Sequence, residues 1–356
     1  MKRTMPDIYR RVPEAEIVSR ILEVKNRLKK RMVILTHHYQ AQKIVELGDY
    51  RGDSYKLSAT AAAMCDAQYI VFCGVSFMAE SAAILAREDQ TVFHPDLAAG
   101  CPMADMADIN RVERAWGELS EVVDISHIVP ITYINSTGAI KAFCGAREGC
   151  VVTSSNAAEG FKWGFDRAEK VMFFPDENLG LNTARKLGIP SGKVVVWDPA
   201  KERGGLKLKD IRKARAIIWK GYCHVHTRFA AEDVKKVRAE YPDVRVVVHP
   251  ECTPDVVELA DAVGSTEYII KYVKESPSES NIAVGTELNL VSRLAAENPD
   301  KNIFELSPSV CPNMQRINLN NLCYTLENLP NVNRVIADAS IIKDARKALQ
   351  KMLEIK

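Results

Sequence analysis

No apolar run in these 356 residues approaches the roughly 20 that a helix needs to cross a bilayer, so no membrane role is expected. The opening Met1-Lys2-Arg3-Thr4-Met5-Pro6-Asp7 lacks an apolar stretch behind its charges; a secretory signal is therefore not expected, and the cytoplasm is the expected location. Net charge is nearly absent, +2 from 48 basic and 46 acidic residues, and there is no long basic run. That argues against a nucleic-acid partner. The short basic stretch Lys25 to Arg31 reads as the solvated end of a helix, where cations suit the dipole. Two cysteine patterns are also missing, the Cys-x-x-Cys pair and the radical-type Cys-x-x-x-Cys-x-x-Cys. Their absence excludes zinc ribbons and ferredoxin-like clusters. No linker or low-complexity segment separates free-standing domains.

What is present is ordinary in bulk, 47% apolar and 26% charged, as in a soluble globular protein. The length exceeds one ordinary core and suggests two or three domains. Short β-rich runs alternate with helical stretches, the pattern of α/β layers around parallel sheets. Three runs read as opening strands ending in polar residues: 32–39, 128–135 and 216–223. Each is followed by a turn with a small hydroxyl residue before a helical stretch, at Gly52-Asp53-Ser54, Thr153-Ser154-Ser155-Asn156 and Gly264-Ser265-Thr266-Glu267. Further strands are expected at 69–73 and 171–174, and in the third unit at 244–248 and 268–270. The whole reads as a diverged threefold repeat of a small α/β unit. Two helices fall outside it. Residues 14–30 align Ile17, Ile21, Val24 and Leu28, and the C-terminal stretch aligns Ile341, Ile342, Ala345, Leu349, Met352 and Leu353 behind the cap candidate Ser340.

Nine cysteines in a compartment where disulfides are rare must be core residues, nucleophiles or metal ligands. Cys65 on an apolar helix, Cys73 inside an apolar run and Cys323 in Asn321-Leu322-Cys323-Tyr324 read as core thiols. Cys101 and Cys311 differ, because each sits on a Pro-marked loop just before a helical stretch that would favour thiolate. Cys223 ends a strand and is followed by His224-Val225-His226. Cys144, Cys150 and Cys252 are ambiguous. In open α/β folds ligands bind at the carboxyl ends of strands, which is also where His37-His38-Tyr39 and His249-Pro250-Glu251 fall. Three thiolates suit a four-iron cluster whose fourth iron stays open as a Lewis acid. Zinc on three cysteines and a water is the rival reading.

At this point several ordered motifs resemble the quinolinate synthase family. They are Cys73-Gly74-Val75-Ser76-Phe77-Met78-Ala79-Glu80-Ser81, Pro95 to Met106, Pro175-Asp176-Glu177-Asn178-Leu179-Gly180, Trp219 to His226, His249-Pro250-Glu251-Cys252, Gly285-Thr286-Glu287 and Cys311-Pro312-Asn313-Met314. The resemblance runs from about Val33 to the C-terminal helix. It implies three related three-layer αβα domains with small parallel sheets in a pseudo-threefold triangle. The expected units are 1–112, 113–204 and 205–314, with 315–356 packing on the first. It implies a 4Fe–4S cluster on Cys101, Cys223 and Cys311. It also implies condensation of iminoaspartate with dihydroxyacetone phosphate to quinolinate in NAD biosynthesis, with possible coupling to an enzyme that supplies iminoaspartate.

By the same resemblance His37, Ser54, Tyr133, Asn135, Ser154, His249, Glu251 and Thr266 contact the substrate or product. Ser54, Ser154 and the Ser265-Thr266 pair read as one hydroxyl donor site in each repeat. Ser54, Ser154 and Ser265 could equally be plain helix caps. Glu251 is the expected general acid/base, with its pKa raised beside a buried cluster. Tyr39 and Tyr133 are candidate proton donors and His226 a further candidate. Two departures stand out: Cys150 is displaced from the Thr-Ser-Ser-Asn turn, and Met314 replaces the second cysteine of a pair that some relatives carry near the last ligand. An iron–sulfur redox sensor or carrier, and a zinc-dependent aldolase or hydrolase of similar fold, are the competing functions.

Overall fold

The computed structural model describes residues 5–64 and 66–355, except for the side chain of Ala62. Cys65, expected as a core thiol, lies outside the described residues. Among those described, the strands form three sheets, all of parallel pairs. The first contains β1 (Met32–His37), β2 (Tyr50–Gly52), β3 (Tyr69–Cys73) and β4 (Thr91–Phe93), in the order β2-β1-β3-β4. The second contains β5 (Ile128–Tyr133), β6 (Cys150–Val152), β7 (Lys170–Phe174), β8 (Val194–Trp197) and β9 (Ala216–Trp219), in the order β6-β5-β7-β9-β8. The third contains β10 (Arg245–Val248), β11 (Ala262–Val263), β12 (Asn281–Gly285) and β13 (Asn302–Glu305), in the order β11-β10-β12-β13.

The same motif opens every sheet: the second strand lies on one side of the first and the third strand on the other. The chain therefore reverses direction across the sheet beside β1, β5 and β10, and that reversal opens a crevice at the strands' carboxyl ends. Helices flank each sheet, so β1 and β5 are buried along their full length and carry apolar residues on both faces. Three small α/β layers were thus legible in the sequence. The strand assignments were less so. The run at 216–223 was expected to open the third unit, yet Ala216–Trp219 is inserted in the second sheet between β7 and β8. The second layer therefore extends past residue 204. Residues 268–270, expected as a strand, lie inside the helix Thr266–Glu275.

The chain divides into two compact units, one made of residues up to Cys101 with Cys311–Asp338, the other of Pro102–Val310 with the segment from Ala339 onward. In the first unit the helix Glu14–Leu28 buries Ile17, Ile21 and Val24 against Leu322, Tyr324 and Leu326. Arg20 donates to both oxygens of Glu327 at 2.7 and 2.6 Å, and Tyr9 Oη donates to the same carboxylate at 2.6 Å. In the second unit the helix Ala339–Glu354 packs on the helix Gly138–Ala146 and on β6, so this part of 315–356 leaves the first repeat on which it was expected. It starts at Ala339, one residue before the expected cap, and buries Ala345, Ala348, Leu349 and Met352. Gly145 makes that packing possible, since a Cβ there would lie 1.9 Å from the Asp344 carbonyl oxygen.

Candidate active site

Of the residues expected to act, His37, Tyr133, His249 and Glu251 fall at the carboxyl ends of the first strands, and Ser54, Ser154 and Ser265 follow the second strands. In the first unit, His37 ends β1 and is buried, and its Nδ1 accepts from the Tyr39 backbone N–H at 3.1 Å. The Tyr39 ring meets the His37 ring edge-on at 4.8 Å. Ser54 is the first residue of the helix Ser54–Ala63, but Asp53 is its cap, accepting from Lys56 N at 2.9 Å. Ser54 is therefore released from a plain capping role. Cys101 and Cys311 precede the helices Pro102–Met106 and Pro312–Gln315 of the chain.

The second unit brings Tyr133, His226, His249 and Glu251 together. Glu251 is fully buried after β10, and its Oε2 lies 2.8 Å from His226 Nδ1. The Tyr133 hydroxyl at the end of β5 donates to the same carboxylate. The His226 and His249 rings stack with centroids 4.3 Å apart and planes 16° apart. Thr286, just past β12, places its hydroxyl 3.2 Å from His226 Nε2. A ligand atom of Cys223 joins those of His226 and Glu251 within 4.8 Å of one another. Asn135 follows on the β5 loop with its buried Oδ1 unpartnered. Ser265 caps the helix Thr266–Glu275, accepting from Tyr268 N at 3.4 Å, so its capping role is real, and Thr266 is buried beside it. Ser154 precedes its helix by three residues, with Asn156 in the capping position. It lines a cavity of about 540 Å³ together with Asn182, Thr183, Pro250 and Gly264.

The electrostatics correct one expectation. Burial does push the Glu251 carboxyl upward, but the charges of His226 and His249 and hydrogen bonds from His226 and Tyr133 outweigh it. The net result is a carboxyl held far below its ordinary range, at about 2, the reverse of the expected rise toward neutrality. With Glu251 ionised, His226 Nδ1 carries the proton and donates it. His249 goes the other way: burial, then the neighbouring His226, pushes it down to about 3, so this ring is neutral at pH 7. Asp176, past β7, is raised well above its ordinary value by burial and by the charge on Glu251. The two carboxyls are thus driven in opposite directions, Glu251 down and Asp176 up, which is how a site separates base from acid.

Sequence reasoning gave Asp176 and Thr286 no role. Both sit in quoted motifs, and their signal was positional: each lies just past the third strand of its sheet, at the crevice.

Of the eight described cysteines, Cys101, Cys223 and Cys311 are partly exposed and the other five are buried. Burial raises the thiols of Cys73, Cys144, Cys150, Cys252 and Cys323, the last to about 11. Those five stay protonated, which resolves the three ambiguous cysteines as inert. The accessible three are the thiols expected as ligands. As soft donors at loop positions they fit an iron–sulfur or zinc centre.

Comparisons with known proteins identify the family. The family model described as quinolinate synthetase A protein matches residues 19–354. A protein named quinolinate synthase from Geobacillus sp. (strain WCH70) is 47% identical over 363 aligned positions, spanning 100% of this chain and 98% of the relative. Another of that name, from Halalkalibacterium halodurans, is 48% identical over 92% of this chain and 89% of its own. A third, from Corynebacterium glutamicum, is 43% identical over 99% of this chain and 91% of its own. With identity of this order along almost the whole chain, the protein belongs to the quinolinate synthetase A family of enzymes.

Proposed function

We propose that the chain condenses iminoaspartate with dihydroxyacetone phosphate to quinolinate, releasing phosphate and water, as a step of NAD biosynthesis. The observation that carries this reading is the buried Tyr133–Glu251–His226–His249 cluster beside Cys223. The overall change is redox-neutral, so the site needs acids, bases and an electrophile but no electron carrier. That argues against the redox sensor, which needs no such pocket. Cys101, Cys223 and Cys311 would hold a 4Fe–4S cluster, whose open iron supplies a Lewis acid for a substrate oxygen.

The chain's own groups divide the remaining work. Glu251, ionised at neutral pH, takes the protons that imine formation and dehydration release. His226 keeps its Nδ1 proton aimed at Glu251, which fixes the ring's orientation, with Thr286 beside Nε2. The hydroxyls of Tyr133 and Tyr39 return protons to leaving oxygens. His37, Ser54, Asn135, Ser154, His249, Ser265 and Thr266 supply the donors that substrate carboxylates and phosphate require. Among the described residues no helix is long and apolar enough to cross a membrane. The setting that belongs to this proposal is the cytoplasm, with a possible functional coupling to an enzyme that supplies iminoaspartate.

Cys223, His226 and Glu251 together are also a zinc-competent donor set, which keeps a zinc-dependent aldolase as the second reading. The test is anaerobic purification followed by assay for quinolinate from the two substrates, before and after exposure to air. The expected protein is brown, absorbs broadly near roughly 400 nm, and forms quinolinate until air destroys the colour. A colourless protein with one tightly held zinc and no quinolinate would overturn the proposal.

A further inference from the structure

Asn182 lies on the helix Glu177–Lys186, which starts at the Asp176 cap past β7, and its side chain is 8% exposed. Its Nδ2 donates both hydrogens to one loop, to the Pro250 carbonyl at 2.9 Å and the Cys252 carbonyl at 2.8 Å. These are the two carbonyls that flank Glu251. The loop is already a tight turn, with Cys252 N bonded to the His249 carbonyl at 3.0 Å and His249 N to the Gly285 carbonyl at 3.1 Å. The amide of Asn182 therefore clamps the turn from the second layer on either side of its charged residue.

The other end of that amide is unusual. Asn182 Oδ1 is buried and has no hydrogen-bond partner. A buried unpaired acceptor is destabilising, and rotating the amide would only set the oxygen against two carbonyls. The orientation is thus fixed by the two donated bonds. Glu251 needs such support, because its carboxylate is buried and useful only while it meets both His226 and Tyr133.

We propose that Asn182 is a positioning residue for Glu251, holding the His249–Cys252 turn so that the carboxylate stays in register with its partners. The inference rests on the role given above to Glu251. A misplacement of about 1 Å at a catalytic group can lower turnover by about a hundredfold.

The test is a double-mutant cycle on the anaerobically purified, cluster-loaded enzyme, with Asn182→Ala, Glu251→Gln and the pair. Product is followed for hours, so that a variant a thousandfold slower is still read. For Asn182→Ala the expected result is a kcat lower by about ten- to hundredfold, with KM within threefold and the cluster absorbance unchanged. In the Glu251→Gln background the same substitution should cost nothing further, because no carboxylate is left to position. A residue needed only for folding would lose the same factor in both backgrounds, and that result overturns the proposal. So does wild-type kcat in Asn182→Ala. Asn182→Ser, which keeps one donor, should fall between alanine and wild type and serves the same cycle if the alanine variant does not fold. Near-normal turnover in Glu251→Gln with a slow Asn182→Ala would instead overturn the role of Glu251.

Discussion

Gly145 sits near the end of the helix Gly138–Ala146, facing the helix Ala339–Glu354. In isolation, alanine in place of glycine stabilises a helix by about 1 kcal/mol. The structure reverses that sign. A Cβ at 145 would lie 1.9 Å from the Asp344 carbonyl oxygen and 2.7 Å from its carbon, backbone atoms that no rotamer change can move. The C-terminal helix must retreat by more than an ångström, loosening Ala345, Ala348, Leu349 and Met352, all buried. Overpacking of this kind typically costs about 1–3 kcal/mol. Set against the helix gain, a net loss of ~2 kcal/mol at the upper end is expected for Gly145→Ala. In a unit of this size that lowers Tm by about 4–8 °C. Thermal unfolding followed by circular dichroism reads it directly. The control is Gly117→Ala, in the helix Ile109–Ser120, where an added Cβ meets nothing within 4 Å and alanine should stabilise. An unchanged or higher Tm for Gly145→Ala would refute the reasoning, since it would mean the two helices can separate without cost.

Serine at Cys101, Cys223 or Cys311 should each abolish the near-400 nm absorbance and turnover, whereas Cys323→Ser, at a buried thiol, should change stability alone; full iron content in Cys223→Ser would remove that ligand. Glu251→Gln should keep the cluster and lose about 10²–10⁴ in kcat, read by quinolinate formation, and near-normal turnover would dismiss the carboxylate as base. Glu327 is held below its ordinary value first by hydrogen bonding to Arg20, against a smaller upward push from burial. A depressed carboxyl stabilises fully above the unfolded value of about 4.3 and loses that contribution as pH falls through the folded value. The urea midpoints of wild type and Glu327→Gln should therefore differ at pH 7 and converge in acid; a gap that widens on acidification would contradict the assignment.

Periodicity carried the reading where the decisive contacts were local. Ile17, Ile21 and Val24 declare their face in fifteen residues, and β1 and β5 are marked by the apolar runs 32–35 and 128–131. Two of the three failures have a cause in non-local geometry. Ala216–Trp219 looks like any opening strand, and only the pairing partners Val171–Phe173 and Val194–Trp197 decide which sheet it joins. Tyr268-Ile269-Ile270 is too short to show whether its period is that of a strand or a helix, and the Ser265 cap settles it. Glu251 was found from its neighbours in sequence, but its charge state was not legible. Of the groups that lower its pKa, His249 is a sequence neighbour, but His226 and Tyr133 arrive from other strand ends.

The first unit is closed by a segment made long after the helix it covers. Arg20 waits 307 positions for Glu327, which at ordinary rates of synthesis is on the order of 15 to 60 seconds. Throughout that interval the helix bearing Ile17, Ile21 and Val24 has no Leu322 or Leu326 to cover it. The same late segment opens with Cys311, the third thiol proposed to hold iron. A nascent chain therefore keeps that apolar face open until residues 322–326 have been made, and a message cut short before residue 311 yields a product for chaperones and proteases to clear.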